Sequence, residues 1–169
     1  FFEIKDLIKK HDIKYFSSNY ALYGDISSRI MKILNQFSPE VEVYSIDEAF
    51  IDWTDTPTVL KKAKHIRQQV LQCLGIPTCI GIAPTKTLAK VANYLAKKNA
   101  GYNGVCLLQD AKDIQVALKS LKVDEIWGVG RRLSIRLREA GINTAYDLQQ
   151  VDPRWMRQIF TVVGERLVN

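Results

Sequence analysis

The sequence predicts an α+β fold followed by a small all-helical segment, and three observations carry that reading. Between about residue 41 and residue 108 the apolar spacing switches between strand alternation and helical three-and-four spacing, in the order ββαβαβ. From Asp110 onward only short helical patterns remain, punctuated by Gly128-Val129-Gly130, Gly141 and Asp152-Pro153. Charge is segregated along the chain as well: residues 1–55 carry six basic and ten acidic groups, residues 56–109 carry eight basic groups and no Asp or Glu, and residues 110–169 carry ten basic and eight acidic. Helices crossing between strands of one sheet imply an α+β sandwich whose mixed, partly antiparallel sheet is covered by helices, with a domain boundary near residue 110.

Length and composition fit this. A chain of 169 residues suits one domain with an appendage and buries roughly 70% of its unfolded surface. With 47% hydrophobic and 25% charged residues and no apolar run near the roughly 18 needed to span a bilayer, it reads as soluble. Cys73, Cys79 and Cys106 are odd in number, lie in apolar surroundings and form no zinc-type cluster, so buried thiols in a reducing compartment are expected. The chain opens on FFEIKDLIKK, with neither an initiator Met nor a signal-peptide pattern, and reads as a piece of something longer.

Taken in order, YALYGDISSRIMKILNQF places Ile26, Ile30, Ile33, Leu34 and Phe37 on one helical stripe and stops before Ser38-Pro39. VEVYS and EAFIDWT alternate as two strands with about two residues between them, an antiparallel hairpin. Ile46-Asp47 is not the Asn-Gly type of turn that such a hairpin favours, and a violated local rule marks a candidate functional site. A helix from about Thr58 to Leu74 turns Leu60, Ala63, Ile66, Val70, Leu71 and Leu74 inward. IPTCIGIA follows as a buried strand, then a helix from about Pro84 to Lys98, then the strand GVCLL.

The hairpin carries the first candidate site. In a regular strand Asp47 and Glu48 would face opposite sides, whereas at a hairpin tip both can turn toward one point. Two adjacent carboxylates repel each other unless a divalent cation compensates, and hard oxygen donors without His or Cys favour magnesium or manganese over zinc. Two such ions can activate a hydroxyl and stabilise the leaving oxygen in a phosphoryl displacement. A solvated turn is the ordinary reading of an isolated Asp-Glu pair; the hairpin context and the basic helix after it favour the metal.

That helix carries the second. At about 100° per residue Lys90 lies about 40° from Lys86, with Lys97 between them, so three cations share a narrow stripe opposite Leu88, Ala92 and Leu95. A solvent face normally mixes Lys with Glu, and this one does not, which favours phosphate contact. The third is VDEIWGVGRRL: Gly128, Val129 and Gly130 form a turn that lets the backbone approach a polyanion, and Arg131 and Arg132 open the next helix. With flanking helices it looks like a helix-hairpin-helix, which holds duplex backbone without reading sequence.

In combination, SIDEAF, GIAPTKTLAKVANYLAKK and DEIWGVGRRL resemble the Y-family translesion DNA polymerases, and among them the UmuC type, the catalytic subunit of bacterial DNA polymerase V. The resemblance implies a palm over residues 1–109, with a remnant of the fingers at its start, and a truncated thumb over residues 110–169. It implies that Asp47 and Glu48 help bind two catalytic Mg2+ ions, with Mn2+ a possible substitute. It also implies that Lys97 contacts the triphosphate of the incoming deoxynucleotide, that Lys86 and Lys90 lie near the primer terminus and nucleotide, and that Gly128 to Arg132 grip the backbone of primer-template DNA. Its further implications are UmuD′, RecA filaments and the sliding clamp as partners, no membrane, and a bacterial cytoplasmic, nucleoid-associated location. The family's third metal ligand, an aspartate in a DxNAFYAS-like first strand, has no counterpart here; nor do the steric-gate aromatic, most of the fingers and the little finger. Two other readings compete: a non-catalytic duplex-binding module carried by the Gly-Val-Gly turn, and a nucleotidyl cyclase, which has no use for the segment after residue 120. With one metal ligand lacking, residues 1–169 alone are expected not to extend a primer in magnesium and deoxynucleotides; synthesis by this piece, processive or distributive, would overturn the expectation.

Overall fold

Asn19 starts the first long helix by accepting a hydrogen bond from the Leu22 N–H at 3.0 Å, the capping role that short polar side chains fill best. The computed structural model describes residues 2–53 and 57–168, so Thr54, at the end of the expected second strand, lies outside the described residues. The chain divides into two compact units, Phe1–Asp52 and Trp53–Asn169.

In the first unit a 3-10 turn (Phe2–Ile4) leads into α1 (Lys5–Lys10) and, after a stretch without regular structure, α2 (Tyr20–Leu34). Asp25 and Arg29 pair at 2.9 Å one turn apart on its solvent side. Ile33 is buried and Ile26, Ile30 and Leu34 are half-buried, the stripe that the spacing predicts. The hairpin follows: β1 (Val41–Val43) pairs antiparallel with β2 (Ala49–Ile51), Val41 opposite Ile51 and Val43 opposite Ala49. Buried Ser38 closes its base, its hydroxyl donating to the Asp52 carbonyl at 3.3 Å and accepting from the Glu40 N–H at 3.1 Å.

The second unit continues the expected order with α3 (Val59–Leu74), β3 (Ile80–Ile82), α4 (Lys86–Lys98) and β4 (Val105–Leu107). β3 and β4 run parallel, Ile80 beside Val105 and Ile82 beside Leu107. α3 ends at Gly75, whose φ of 70° lets its N–H close back on the Leu71 carbonyl at 2.9 Å. Ala63, Ile66 and Val70 are its buried residues. Leu60 and Leu71, expected inside, are exposed, because they sit about 80–100° from the centre of that stripe. Arg67, also on α3, donates to the carbonyls of Thr78 at 2.6 Å and Asn103 at 2.5 Å, tying together the approaches to both strands.

Gly81 sets the distance between β3 and α4. A Cβ at that position would come within 2.1 Å of the Asn93 nitrogen and 2.2 Å of the Ala89 carbonyl oxygen, so the helix backbone lies directly on the strand. Val91, Ala92 and Ala96 are the buried residues of α4. Thr85 caps α4, accepting from the Leu88 N–H at 3.2 Å.

After β4 come α5 (Ala111–Ser120), a 3-10 turn (Val123–Glu125), α6 (Arg131–Glu139), α7 (Ala145–Gln149) and α8 (Pro153–Val168), the last interrupted at Phe160 and Thr161. The change to short helices near residue 110 is not a break in packing, since one buried cluster runs from Val91 through Cys106, Leu118 and Leu137 to Met156. Of the three cysteines only Cys106 is buried, and burial pushes its thiol pKa up; Cys79 is half-buried, and Cys73, in the last turn of α3, is exposed. Among the described residues no helix is long and apolar enough to cross a membrane.

Gly81→Ala should cost about 2–3 kcal/mol or more, because the clash is with helix backbone rather than with a side chain that can swing away. The expected readout is a lower urea midpoint with an unchanged slope; an unchanged midpoint would show that α4 can lift off the strand without penalty.

Candidate metal hairpin and phosphate-binding elements

The acidic tip breaks the ladder that leads to it. By the register of β1 and β2, Tyr44 would oppose Glu48, but the closing bond runs from the Ser45 N–H to the Glu48 carbonyl at 3.3 Å, one residue out of step, as in a bulge. Ile46 and Asp47 therefore form the tip, as the sequence predicts, and the strict alternation that would separate the two acids ends just before them. Asp47 is exposed; the Ser45 hydroxyl donates to its Oδ1 at 2.8 Å and accepts from its N–H at 3.3 Å. Glu48 is half-buried next to the start of β2, where Tyr44 and Phe50 stack with centroids 4.8 Å apart.

The donor chemistry suits a hard divalent cation, with two carboxylates at one turn and neither His nor Cys in the hairpin. It supplies only part of a coordination sphere, for among the described residues no group of three or more His, Cys, Asp or Glu converges. Water and phosphate oxygens ordinarily complete a magnesium octahedron that protein carboxylates begin.

In the second unit α4 presents Lys86 and Lys97 exposed and Lys90 half-buried, opposite Ala92 and the half-buried Leu88 and Leu95. The stripe read from the helical angle is thus the solvent side of a helix whose other side is fixed by Gly81. Thr85 at the helix start and Lys97 and Lys98 at its end complement the peptide dipoles.

The Gly-Val-Gly turn differs from its sequence reading in what precedes it. No α-helix leads in; Val123–Glu125 is a single 3-10 turn. The cause is tertiary: Val123 N–H donates to the Asn143 carbonyl at 2.9 Å and Ala145 N–H to the Leu121 carbonyl at 2.9 Å, which pins residues 121–123 to the loop before α7 and leaves no room for a longer helix. Gly128 takes φ +94°, and the Val129 N–H closes on the Ile126 carbonyl at 3.0 Å with Val129 buried beneath. Gly130 is the residue before α6, where Arg131 and Arg132 stand exposed in the first turn. Leu167 packs against Gly128, since a Cβ there would meet its Cδ2 at 3.0 Å.

Four side chains that the sequence reading passed over hold this turn. Asp124 accepts from Arg138 of α6 at 3.0 Å. Glu125 accepts from the Tyr94 hydroxyl of α4 through Oε1 and from the Lys122 N–H through Oε2, the latter at 3.4 Å. That carboxylate, followed by partial burial, raises the Tyr94 pKa above the ordinary tyrosine value. The only signal in the sequence was an adjacent acid pair just before a glycine turn; its partners lie 14 and 31 residues away.

The matches to known proteins follow this geometry. Residues 1–94 match the model of the impB/mucB/samB family. The chain belongs to that family. It is 41% identical over 172 aligned residues to the protein UmuC of Salmonella typhimurium, covering 99% of this chain and 41% of that one. A DinB family error-prone DNA polymerase from Sulfolobus solfataricus superposes with a TM-score of 0.79 at 30% identity, over 98% of this chain and 50% of that one. The insertion ternary complex of Dbh DNA polymerase superposes with a TM-score of 0.74 at 30% identity, over 92% and 46% of the two chains. The impB/mucB/samB member described here is therefore of the UmuC type with a Y-family α+β fold, and it spans about two fifths of the length of the curated relatives that it matches.

Asp147 secures the loop to which the turn is pinned, accepting from the N–H groups of Thr144 at 2.8 Å and Asn143 at 3.1 Å while Thr144 accepts from its own N–H at 3.0 Å. The Thr144 bonds, backbone first, and then the Asn143 bond hold its carboxyl below the ordinary aspartate range. The stability this contributes is complete above the unfolded value of about 3.9 and is lost as the pH falls through the lower folded value. Asp147→Asn should therefore lower the melting temperature at neutral pH and lessen its fall in acid; parallel wild-type and mutant curves from pH 6 to pH 2 would refute the assignment.

Proposed function

We propose that this chain is the central part of a translesion DNA polymerase, a palm over residues 1–109 and a thumb over residues 110–169, which adds deoxynucleotides opposite damaged bases. The observation that carries the reading is the acidic hairpin of an impB/mucB/samB chain, where a ladder slipped by one residue leaves Asp47 at the exposed tip with Glu48 next to it. In this reading Asp47 and Glu48 would hold magnesium ions, together with ligands from elsewhere in the whole protein, water and nucleotide phosphate. When bound, the ions supply Lewis acidity for in-line attack of a primer 3′-hydroxyl on the α-phosphate.

The remaining roles belong to the chain's cations and backbone. Lys97 offsets charge on the triphosphate and on departing pyrophosphate, and Lys86 and Lys90 serve the primer terminus and nucleotide. The turn from Gly128 to Gly130, with Arg131 and Arg132, holds phosphates of the duplex without reading bases, as a helix-hairpin-helix does. Ser45, bonded to Asp47, keeps that carboxylate aimed, the work of a group supporting a metal ligand. The family resemblance extends the proposal to UmuD′, RecA filaments and the sliding clamp as partners, and to a place on the nucleoid in a bacterial cytoplasm.

The test is primer extension across an abasic site by the full-length protein that contains this chain, with magnesium and accessory factors, and with Asp47→Ala alongside. Loss of at least about 100-fold in the variant, with duplex affinity retained, is expected of a metal ligand. Equal behaviour of wild type and variant, active or silent, would move the non-catalytic duplex-binding module ahead.

A further inference from the structure

Tyr94 and Glu125 join the two phosphate-binding elements of the second unit. Tyr94 lies on α4, about 60° around the helix from the Lys86–Lys90–Lys97 stripe and between the last two of them in sequence. Its hydroxyl donates to Glu125, and the other oxygen of the same carboxylate accepts from the Lys122 N–H, so one side chain ties α4 to the 3-10 turn. Only Ile126 and Trp127 separate Glu125 from Gly128, and Ile126 is buried, with its carbonyl closing the glycine turn. On the other side Asp124 accepts from Arg138, whose guanidinium also reaches the buried Ser134 hydroxyl at 3.5 Å. Two adjacent acids therefore hold the turn from opposite sides, one toward α4 and one toward α6.

The choice of partners matters electrostatically. A glutamate reaching α4 through one of its lysines would neutralise a charge that a phosphate needs; a tyrosine hydroxyl makes the tie with no cation consumed. Asp124 likewise pairs with Arg138, toward the far end of α6 from Arg131 and Arg132. Both ties leave the presented cations out of the bracing bonds.

We propose that the Tyr94–Glu125 bond is a brace that fixes the spacing between the lysine stripe of α4 and the Gly128–Arg132 turn, so that both engage the backbone of one bound duplex together. Tyr94 and Glu125 are positioning residues, and the proposal rests on the duplex-binding part of the reading above. Two grips held at a fixed spacing act as one bivalent site; with the brace cut, the second grip engages only part of the time.

The number of phosphates neutralised sets the slope of log affinity against log salt, and a lost grip lowers that slope, whereas a merely destabilised protein loses active molecules at constant slope. The experiment is equilibrium binding of a primer-template duplex to the full-length protein over a series of KCl concentrations, with thermal melts alongside. Tyr94→Phe and Glu125→Ala should each weaken binding about fivefold at low salt and flatten the slope by about one to two, consistent with the two arginines at the turn. The double variant should be no weaker than either single one, and Glu125→Gln, which keeps an acceptor for the tyrosine, should recover at least half of the affinity. Unchanged slopes, or effects that add in the double variant, overturn the brace while the duplex-binding reading stands. Failure of the wild type to bind the duplex at all removes that reading and the brace with it.

Discussion

A glycine at position 81 is the constraint on which the second unit depends. Its missing side chain lets α4 lie against β3 at backbone distance, and Ala92 and Ala96 of that helix are buried. Once the helix is seated there, its rotation is no longer free: the small residues must face the sheet, and the lysines at 86, 90 and 97 must face away. The same seating directs Tyr94 toward Glu125. A larger residue at 81 would displace all of these together, so the arrangement of cations is set by a position that carries no charge.

Charge is organised by a related economy. The segment from residue 56 to residue 109 contains no acid, and the acids of the chain lie before and after it. The acids near the glycine turn and the loop to which it is pinned are bonded to other groups: Asp124 to Arg138, Glu125 to a phenol and a backbone N–H, and Asp147 to the amides of Asn143 and Thr144.

The glycine turn shows how tertiary contacts overrule local pattern. Residues 121–126 carry enough apolar character to read as helix, but hydrogen bonds to the loop before α7 take the backbone groups that a helix would need, and only three residues of 3-10 turn survive. The positive φ at Gly128 then redirects the chain so that α6 begins with its two arginines exposed. Leu167, from the far end of the chain, seals the other side of that glycine.

Much of this was legible in the residues. Periodicity gave the order of strands and helices, Ile46-Asp47 marked the hairpin tip, and a helical angle sufficed to group the three lysines, because each of these depends on neighbours a few residues apart. What the residues did not show was set by long-range contacts: the shortened lead-in to the glycine turn and the two ties made by Asp124 and Glu125. Hydrogen-bond partners 14 to 31 residues apart leave no periodic trace in a sequence, since only the packed chain decides which donor meets which acceptor.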